Sequence, residues 1–339
     1  MAVHSLEHLA ARLQVEGISP GQLLEMPRLE LLHATRLFPE ELEFAAQEAA
    51  ERIMPRICTA RALRLATAHL RTRLPRLDAA LAGGLSVGTI TEIAGTAGSG
   101  KTQVCMHMVA CALLDDDAAH AIYIDTERSF SPRRLAEIWS ALARGEPDAD
   151  GAGDDAAGGD GATHAADVAA PAVRSALGRV HVVRPLSSGQ LEAAVRAIGQ
   201  LAGGSHRVAL VVIDSVGALV RAEFDRDARM KRAEHLTSLA ASIKRIADAL
   251  KAVVIVANQV VRLIDDGAGL CGELDGEAGA RLQPSLGVTW AHNVNARLLL
   301  QCAHHGAATR RSIRIEKSPR SAQQSVEVRI LRGGLAEGV

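Results

Sequence analysis

Gly95, Thr96, Ala97, Gly98, Ser99, Gly100, Lys101 and Thr102 run as G-x-x-x-x-G-K-T, directly after the apolar stretch "TITEIA" and before an amphipathic one. That spacing is the pattern of a phosphate loop. Several backbone N–H groups must converge on the oxygens of a triphosphate, and glycines let the chain come close and turn with φ > 0. A helix opening at the end of the loop aims its positive dipole end at the anion. Lys101 then reaches the β- and γ-phosphates as a point charge, and Thr102 offers its hydroxyl to Mg²⁺. The bare pattern also occurs as a simple glycine turn. The strand-like run before it and the helical run after it favour the phosphate loop, with ATP and Mg²⁺ as what it holds.

A metal-bound triphosphate calls for an acid beside the metal. Asp214 ends the apolar run "RVALVVIDS", the position of such an aspartate. The competing reading is an Asp that merely caps a strand. Hydrolysis further needs a group that orients or deprotonates water. Glu127 in "YIDTERSF", just past another strand, is a candidate; Asp125 lies two residues earlier, and spacing alone does not choose between them.

The elements that must carry these residues alternate along the chain. "TITEIAG", "AIYID", "RVHVVRP", "VALVVID" and "AVVIVANQ" are short apolar runs flanked by polar or turn residues, and read as strands. "GKTQVCMHMVACALL", "SPRRLAEIWSALAR", "SGQLEAAVRAIGQLA" and "KRAEHLTSLAASIKRIADAL" lie between them and read as helices. Near-continuous apolar strands alternating with helices predict an α/β fold with a mostly parallel central sheet covered on both faces. "NARLLLQC", "RSIRIEKS" and "QSVEVRIL" alternate with period two and predict antiparallel strands completing the sheet.

Ahead of this core, residues 1–54 read as a small all-helical domain, with "HSLEHLAARL", "PGQLLEM" and "PEELEFAAQEAAERI" as its helices. Residues 55–75 read as an arginine-bearing linker broken by Pro55 and Pro75, and 76–339 as the core. Within it, 145–170 is built from Gly, Ala and Asp and is expected to be a disordered acidic insertion.

With 339 residues, 48% of them hydrophobic, the chain has enough apolar material for a large core, which must rest on Leu, Val, Ile and Ala because aromatics are 2%. Net charge is −1, which on its face argues against nucleic acid. The average misleads, because seven acids and no Lys or Arg fall within 145–168, and the remainder is net positive by six. Cys58, Cys105, Cys111, Cys271 and Cys302 are scattered without a C-x-x-C, which suits reduced, buried thiols in a cytosolic or nuclear protein. Neither a signal peptide nor an uncharged run of about 18 residues is evident, so no membrane association is expected.

"GKTQ", "YIDTERSFSPRRL", "VVIDSVGALVRAEFD" and "VIVANQVV", in this order and spacing, resemble the RecA/RadA-type recombinase family. Within it they are similar to the eukaryotic strand-exchange recombinase and its paralogues. "LQPSLGVTWAHNVNARLLLQ" followed by "RIEKSP" looks most like the B-type paralogues, which join other paralogues in a repair complex. The likeness covers roughly 76–335, plus an N-terminal domain and linker of the expected size. It implies a RecA-like ATPase core in which the "GKTQ" run, Gln103 included, lines the nucleotide site. By the same resemblance Glu127 activates water and Arg134 in "SPRRL" packs against the adenine. Gln259 in "ANQ" senses the γ-phosphate and passes that state to a following DNA loop, work a neutral amide can do by donating to a phosphate oxygen. A strand-end glutamine facing water is the plainer alternative.

The family has two loops that meet single-stranded DNA. The first falls at about 221–232 and supplies Arg221, Arg226, Arg229, Lys231 and Arg232, suited to sequence-neutral, salt-dependent phosphate contact. A solvated helix start explains the same residues. The second, about 261–286, holds five acids (Asp265, Asp266, Glu273, Asp275 and Glu277) between Arg262 and Arg281, a poor surface for gripping DNA. The family's aromatic-x-x-Ala assembly pattern reads "ICTA" here, Ile57 to Ala60, and Ile fills an aromatic pocket less completely, a loss of about 1 kcal/mol. Lys317 either reaches a neighbour's phosphate or is an ordinary exposed lysine. These features predict a weakly hydrolysing, DNA-dependent ATPase that works in the nucleus with other recombinase paralogues, single-stranded or branched DNA and the recombinase filament. A recombinase that exchanges strands on its own, and a non-hydrolysing scaffold stabilised by ATP, are the alternatives.

Overall fold

A computed structural model describes residues 18, 23, 26–53, 58–145, 170–199, 201, 206–224, 229–263, 281–305 and 308–338. The chain divides into two compact units after Ala66. In the first, α1 (Arg28–Thr35) and α2 (Pro39–Ile53) bury Leu31, Leu37, Leu42, Ala45 and Ala49 against one another, and α3 (Ala60–Ala66) follows. Leu42, Ala45 and Ala49 recur at three- and four-residue spacing, so one stripe of α2 is apolar. The helices expected within residues 1–26 fall almost entirely outside the described residues, as does Ile57 of the assembly pattern.

The second unit is an α/β layer structure. Nine strands hydrogen-bond in the order β12-β11-β10-β9-β3-β7-β6-β4-β5, and β8 pairs with β7 off this row. They are β3 (Ile90–Gly95), β4 (Ala119–Asp125), β5 (Val180–Val183), β6 (Arg207–Asp214), β7 (Val253–Leu263), β9 (Ala296–His305), β10 (Ala308–Lys317), β11 (Ser325–Leu331) and β12 (Gly334–Glu337), with β8 at Arg281–Pro284. Pairings from β9 to β5 are parallel, and those from β9 out to β12 are antiparallel. A short antiparallel pair, β1 (His69–Leu70) with β2 (Leu85–Ser86), flanks α4 (Pro75–Ala80).

Each central strand is apolar on both faces because each face meets helices. Ile93, Tyr123, Leu210, Val212 and Ile255 enter one core with α5 (Lys101–Asp115) and α6 (Pro132–Arg144). Their alternates Ile90, Ile122, Val211, Ile213 and Val256 enter a second core. That one is closed by α8 (Ser188–Gly199), α9 (Val216–Glu223), α10 (Arg229–Leu250) and α11 (Gly287–Asn293). A further helix, α7 (Pro171–Gly178), precedes β5.

Every strand and helix expected from periodicity in the core is present within a few residues. Two expectations are modified, and two others fall mostly outside the described residues. Of the residues expected as the first DNA loop, Arg221 belongs to α9, and Arg229, Lys231 and Arg232 belong to α10; Arg226 lies outside the described residues. The runs flanking it were short enough, and Arg-rich enough, to read as loop although both continue their helices. Cys58 is exposed rather than buried and Cys302 is only half-buried, while Cys105 and Cys111 are buried on α5. The acidic insertion (146–169) and the acidic part of the second loop (264–280) lie outside the described residues; the ends of that loop pair as β7 and β8, with Leu263 opposite Arg281.

Candidate functional site

Gly95, Asp125 and Asp214 end β3, β4 and β6, and Gln259 sits where the parallel pairing of β7 with β3 stops, at the edge where doubly wound sheets form their ligand crevice. Parallel register sets Gly95 beside Gln259 and Asp125 beside Asp214. Four sequence stretches far apart in the chain therefore meet at one edge.

The phosphate loop leaves β3 at Gly95 and enters α5 at Lys101. A Cβ on Gly95 would lie 2.6 Å from Ser99 Oγ and 2.8 Å from the Leu300 carbonyl of β9, so only glycine lets the loop pass this close to the sheet. Gly100 has φ +107°, and a side chain there would collide with Ile330 as well. Lys101 Nζ donates to Gly95 O (3.0 Å) and Thr96 O (2.8 Å). Burial lowers the Lys101 pKa, with the charges of Asp214 and Glu127 opposing it. An anion in the loop would restore what burial takes away.

Thr102 Oγ1 donates to Asp214 Oδ2 at 2.7 Å, and Tyr123 OH donates to the same oxygen at 2.8 Å. Burial raises the Asp214 pKa; the Thr102 and Tyr123 hydrogen bonds lower it, and the Glu127 and Asp125 charges raise it. A hydroxyl and a carboxylate side by side form a hard-oxygen pair that suits Mg²⁺, which takes one or two protein oxygens and completes its shell with phosphate and water. A cation here would also relieve a carboxylate that burial disfavours in its charged form.

Asp125 and Glu127, which spacing left undecided, occupy different surroundings. Asp125 is 1% exposed and accepts from Ser129 N (2.9 Å), Phe130 N (3.3 Å) and Arg184 Nε (3.3 Å). It holds the turn after β4. Glu127 is exposed, and its Oε1 accepts from Ser215 Oγ (2.7 Å) and Gln259 Nε2 (3.4 Å). Thr126 locks this turn to the end of β6 through Ser215, donating to its carbonyl at 2.7 Å and accepting from its N–H at 2.8 Å.

Arg134, near the start of α6, donates to Gln103 Oε1 (2.8 Å), Leu331 O (2.6 Å) and Arg332 O (2.5 Å). Its in-plane donors are thus engaged with α5 and with the turn between β11 and β12. Lys317 Nζ donates to Ala291 O (2.8 Å) and Val294 O (2.7 Å), so it closes the end of α11. Of the arginines expected to meet DNA, Arg221 bonds Gln259 Oε1 (2.9 Å) and Ser285 Oγ (3.2 Å), and Arg232 bonds Ser285 O (2.6 Å); Lys231 is exposed.

Several partners in this crevice escaped sequence reasoning. Tyr123 had a signal, being the chain's single tyrosine and two residues from Asp125 in an apolar strand. Ser215 and Ser285 had none. Asn258 donates to buried Glu92 (2.6 Å), which also takes Arg297 from the neighbouring strand.

The Rad51 family model matches residues 63–147 and 169–338. "DNA repair protein RAD51 homolog 2" of Homo sapiens is 30% identical over 286 residues, covering 79% of this chain and 68% of that protein. "DNA repair protein XRCC3" of Bos taurus is 32% identical over 243 residues (68% of this chain, 63% of that protein). "DNA repair protein rhp57" of Schizosaccharomyces pombe is 27% identical over 351 residues, 95% and 94% of the two chains. The match spans both the strands that end in the crevice and the phosphate loop between them, and on that ground the chain belongs to the Rad51 family.

Proposed function

We propose that the chain is an ATP-dependent recombinase paralogue of homologous-recombination repair of DNA double-strand breaks, acting in the nucleus. It assembles with other paralogues and promotes or stabilises recombinase filaments on single-stranded DNA. The observation that carries this reading is the convergence of Lys101, Thr102, Asp214, Glu127 and Gln259 at one crevice. Relatives whose names make them DNA repair proteins support the cellular role.

Lys101 exchanges its two carbonyl partners for β- and γ-phosphate oxygens, a stronger, charge-assisted pairing. The first N–H groups of α5, which have no partner inside the helix, face the same anion. Thr102 and Asp214 hold Mg²⁺, which when bound neutralises charge on the phosphate oxygens. Glu127 accepts a proton at Oε1 from the water whose oxygen attacks the γ-phosphorus; the β–γ bridging bond breaks, releasing ADP and phosphate. Gln259 donates from Nε2 to a γ-phosphate oxygen. Arg134 meets the adenine through the flat face of its guanidinium, because its edge is already bonded. Tyr123 keeps Asp214 oriented.

Glu127→Gln separates an enzyme from an ATP-stabilised scaffold. Turnover is expected to fall by about 100-fold or more, the worth of a lost general base, with nucleotide affinity within about threefold of wild type. Equal turnover in the variant and the wild type would remove Glu127 from the reaction.

A further inference from the structure

Ser285, the first residue after β8, is a four-way junction. Its N–H donates to Gln259 O (2.8 Å), and its hydroxyl donates to Asn258 Oδ1 (2.8 Å). The same hydroxyl oxygen accepts from Arg221 Nη1 (3.2 Å), and its carbonyl accepts from Arg232 Nη2 (2.6 Å). Asn258 is itself fixed in the sheet by donating to Glu92 Oε1 (2.6 Å), so the Ser285 proton has a settled direction and a lone pair is left toward Arg221.

Arg221 extends the junction to the reaction centre. Its Nη2 donates to Gln259 Oε1 (2.9 Å), while Gln259 Nε2 points to Glu127 Oε1 (3.4 Å). Chemistry fixes the sense of this amide. Its oxygen faces a cation and its NH₂ faces a carboxylate; the flipped amide would meet like with like on both sides. Arg221 lies in the last turn of α9 and Arg232 near the start of α10, so the junction bonds to one helix on either side of residues 225–228.

We propose that Ser285, acting through Arg221, is a positioning residue that holds the Gln259 amide against Glu127, and that a single-stranded DNA phosphate releases the amide by drawing Arg221 away. The inference rests on the reading above that Arg221 meets DNA and Gln259 meets the γ-phosphate. A guanidinium bonded to a neutral amide and a hydroxyl gains by exchanging them for a phosphate, which carries full charge and releases counterions. Once Arg221 leaves, Gln259 Nε2 is free to turn from Glu127 to a phosphate oxygen of the nucleotide. DNA and nucleotide then favour the same arrangement, and each tightens the other by one common factor.

The test uses the full chain, a fluorescent ATP analogue with Mg²⁺, and an oligothymidylate, titrated at one fixed salt concentration. In wild type the oligonucleotide tightens analogue binding. Ser285→Ala loosens the hold on Arg221, so affinity without oligonucleotide rises by about threefold to tenfold, the worth of one or two weak hydrogen bonds. The oligonucleotide effect shrinks by that same factor. Ser285→Thr keeps the hydroxyl and behaves as wild type. A residue that only supported the fold would lower both affinities, and that result, or an unchanged oligonucleotide effect in Ser285→Ala, overturns the proposal while leaving the ATPase reading intact. A wild-type protein that binds the analogue with no oligonucleotide effect overturns the coupling to DNA together with the proposal. One that binds no analogue overturns the phosphate-loop reading beneath both.

Discussion

Asp125 gives both carboxylate oxygens to the backbone N–H groups of Ser129 and Phe130, whereas Glu127 ends in the open beside Ser215 and Gln259. Two acids of nearly equal chemistry are thus divided by burial: the inward one builds the turn, and the outward one is left able to exchange protons. Spacing could not separate them because both follow the same strand. The division depends on β6, whose Asp214 is the register partner of Asp125. His107 makes the same point about a residue the sequence did not single out. It is buried on α5, with Nε2 donating to Thr72 O (2.8 Å) and Nδ1 accepting from Leu335 N (3.1 Å), so the neutral tautomer satisfies both partners. Burial is the main cause that lowers its pKa from the ordinary 6.5 to about 4. Above pH 6.5 the ring is neutral folded or unfolded, and stability is unaffected. As pH falls from 6.5 to about 4 the unfolded chain takes up a proton that the folded chain refuses, and roughly 3 kcal/mol of stability is lost across that window. Urea unfolding from pH 7 to 4 should show this extra loss in wild type and not in His107→Gln; parallel curves for the two proteins would refute it.

The phosphate loop works because β3 stands between β7 and β9, and Leu300 of β9 with Ser99 of the loop leaves no room at Gly95 for anything but hydrogen. β3 also carries Glu92, fully buried, facing its cross-strand partner Arg297 on β9 and Asn258 on β7. The acid crosses three strands and pins their relative register under the loop. Removing one partner of such a pair leaves a buried charge uncompensated, so Arg297→Met should destabilise the protein by about 3–5 kcal/mol, and adding Glu92→Gln should recover a substantial part. Chemical denaturation of the single and double variants checks this; a fully additive loss would mean the two residues do not interact. Elements of this scale were legible in proportion to their length and periodicity. α5, α6, α8 and α10 repeat an apolar stripe over a dozen or more residues, and five of the six strands in parallel pairing are short apolar runs with polar ends. The sixth, β9, alternates with period two and so read as antiparallel, which it is to β10 but not to β3. α9 was hidden because its apolar residues run straight on from β6, and β8, β12 and the β1–β2 pair are too short to show a period. Strand order was not legible at all: β3 and β7 are neighbours although some 160 residues separate them, and such pairing leaves no local trace. For that reason the sequence named Asp214, Glu127 and Gln259 singly but could not show that Arg221 joins Gln259 rather than solvent.

Across the whole molecule, chemistry gathers at one end of the larger unit's sheet, and among the described residues no helix is long and apolar enough to cross a membrane. Charge is partitioned along the chain, with seven acids and no Lys or Arg in 145–168 and a remainder that is net positive by six. A nucleotide that bridges β3, α5 and β6 ties together elements that unfolding would separate, so binding should be felt by the entire unit as added stability. That linkage supplies the most direct measurement: the melting temperature of the full chain with and without saturating Mg²⁺ and a non-hydrolysable ATP analogue, for wild type and for Lys101→Ala. Ligand at about 100 times its dissociation constant adds about 2.7 kcal/mol, which should raise the wild-type transition by about 5 °C or more and leave Lys101→Ala within about 1 °C of its ligand-free value. Equal shifts in the two proteins, or none in wild type, would contradict a triphosphate held between Gly95 and Thr102.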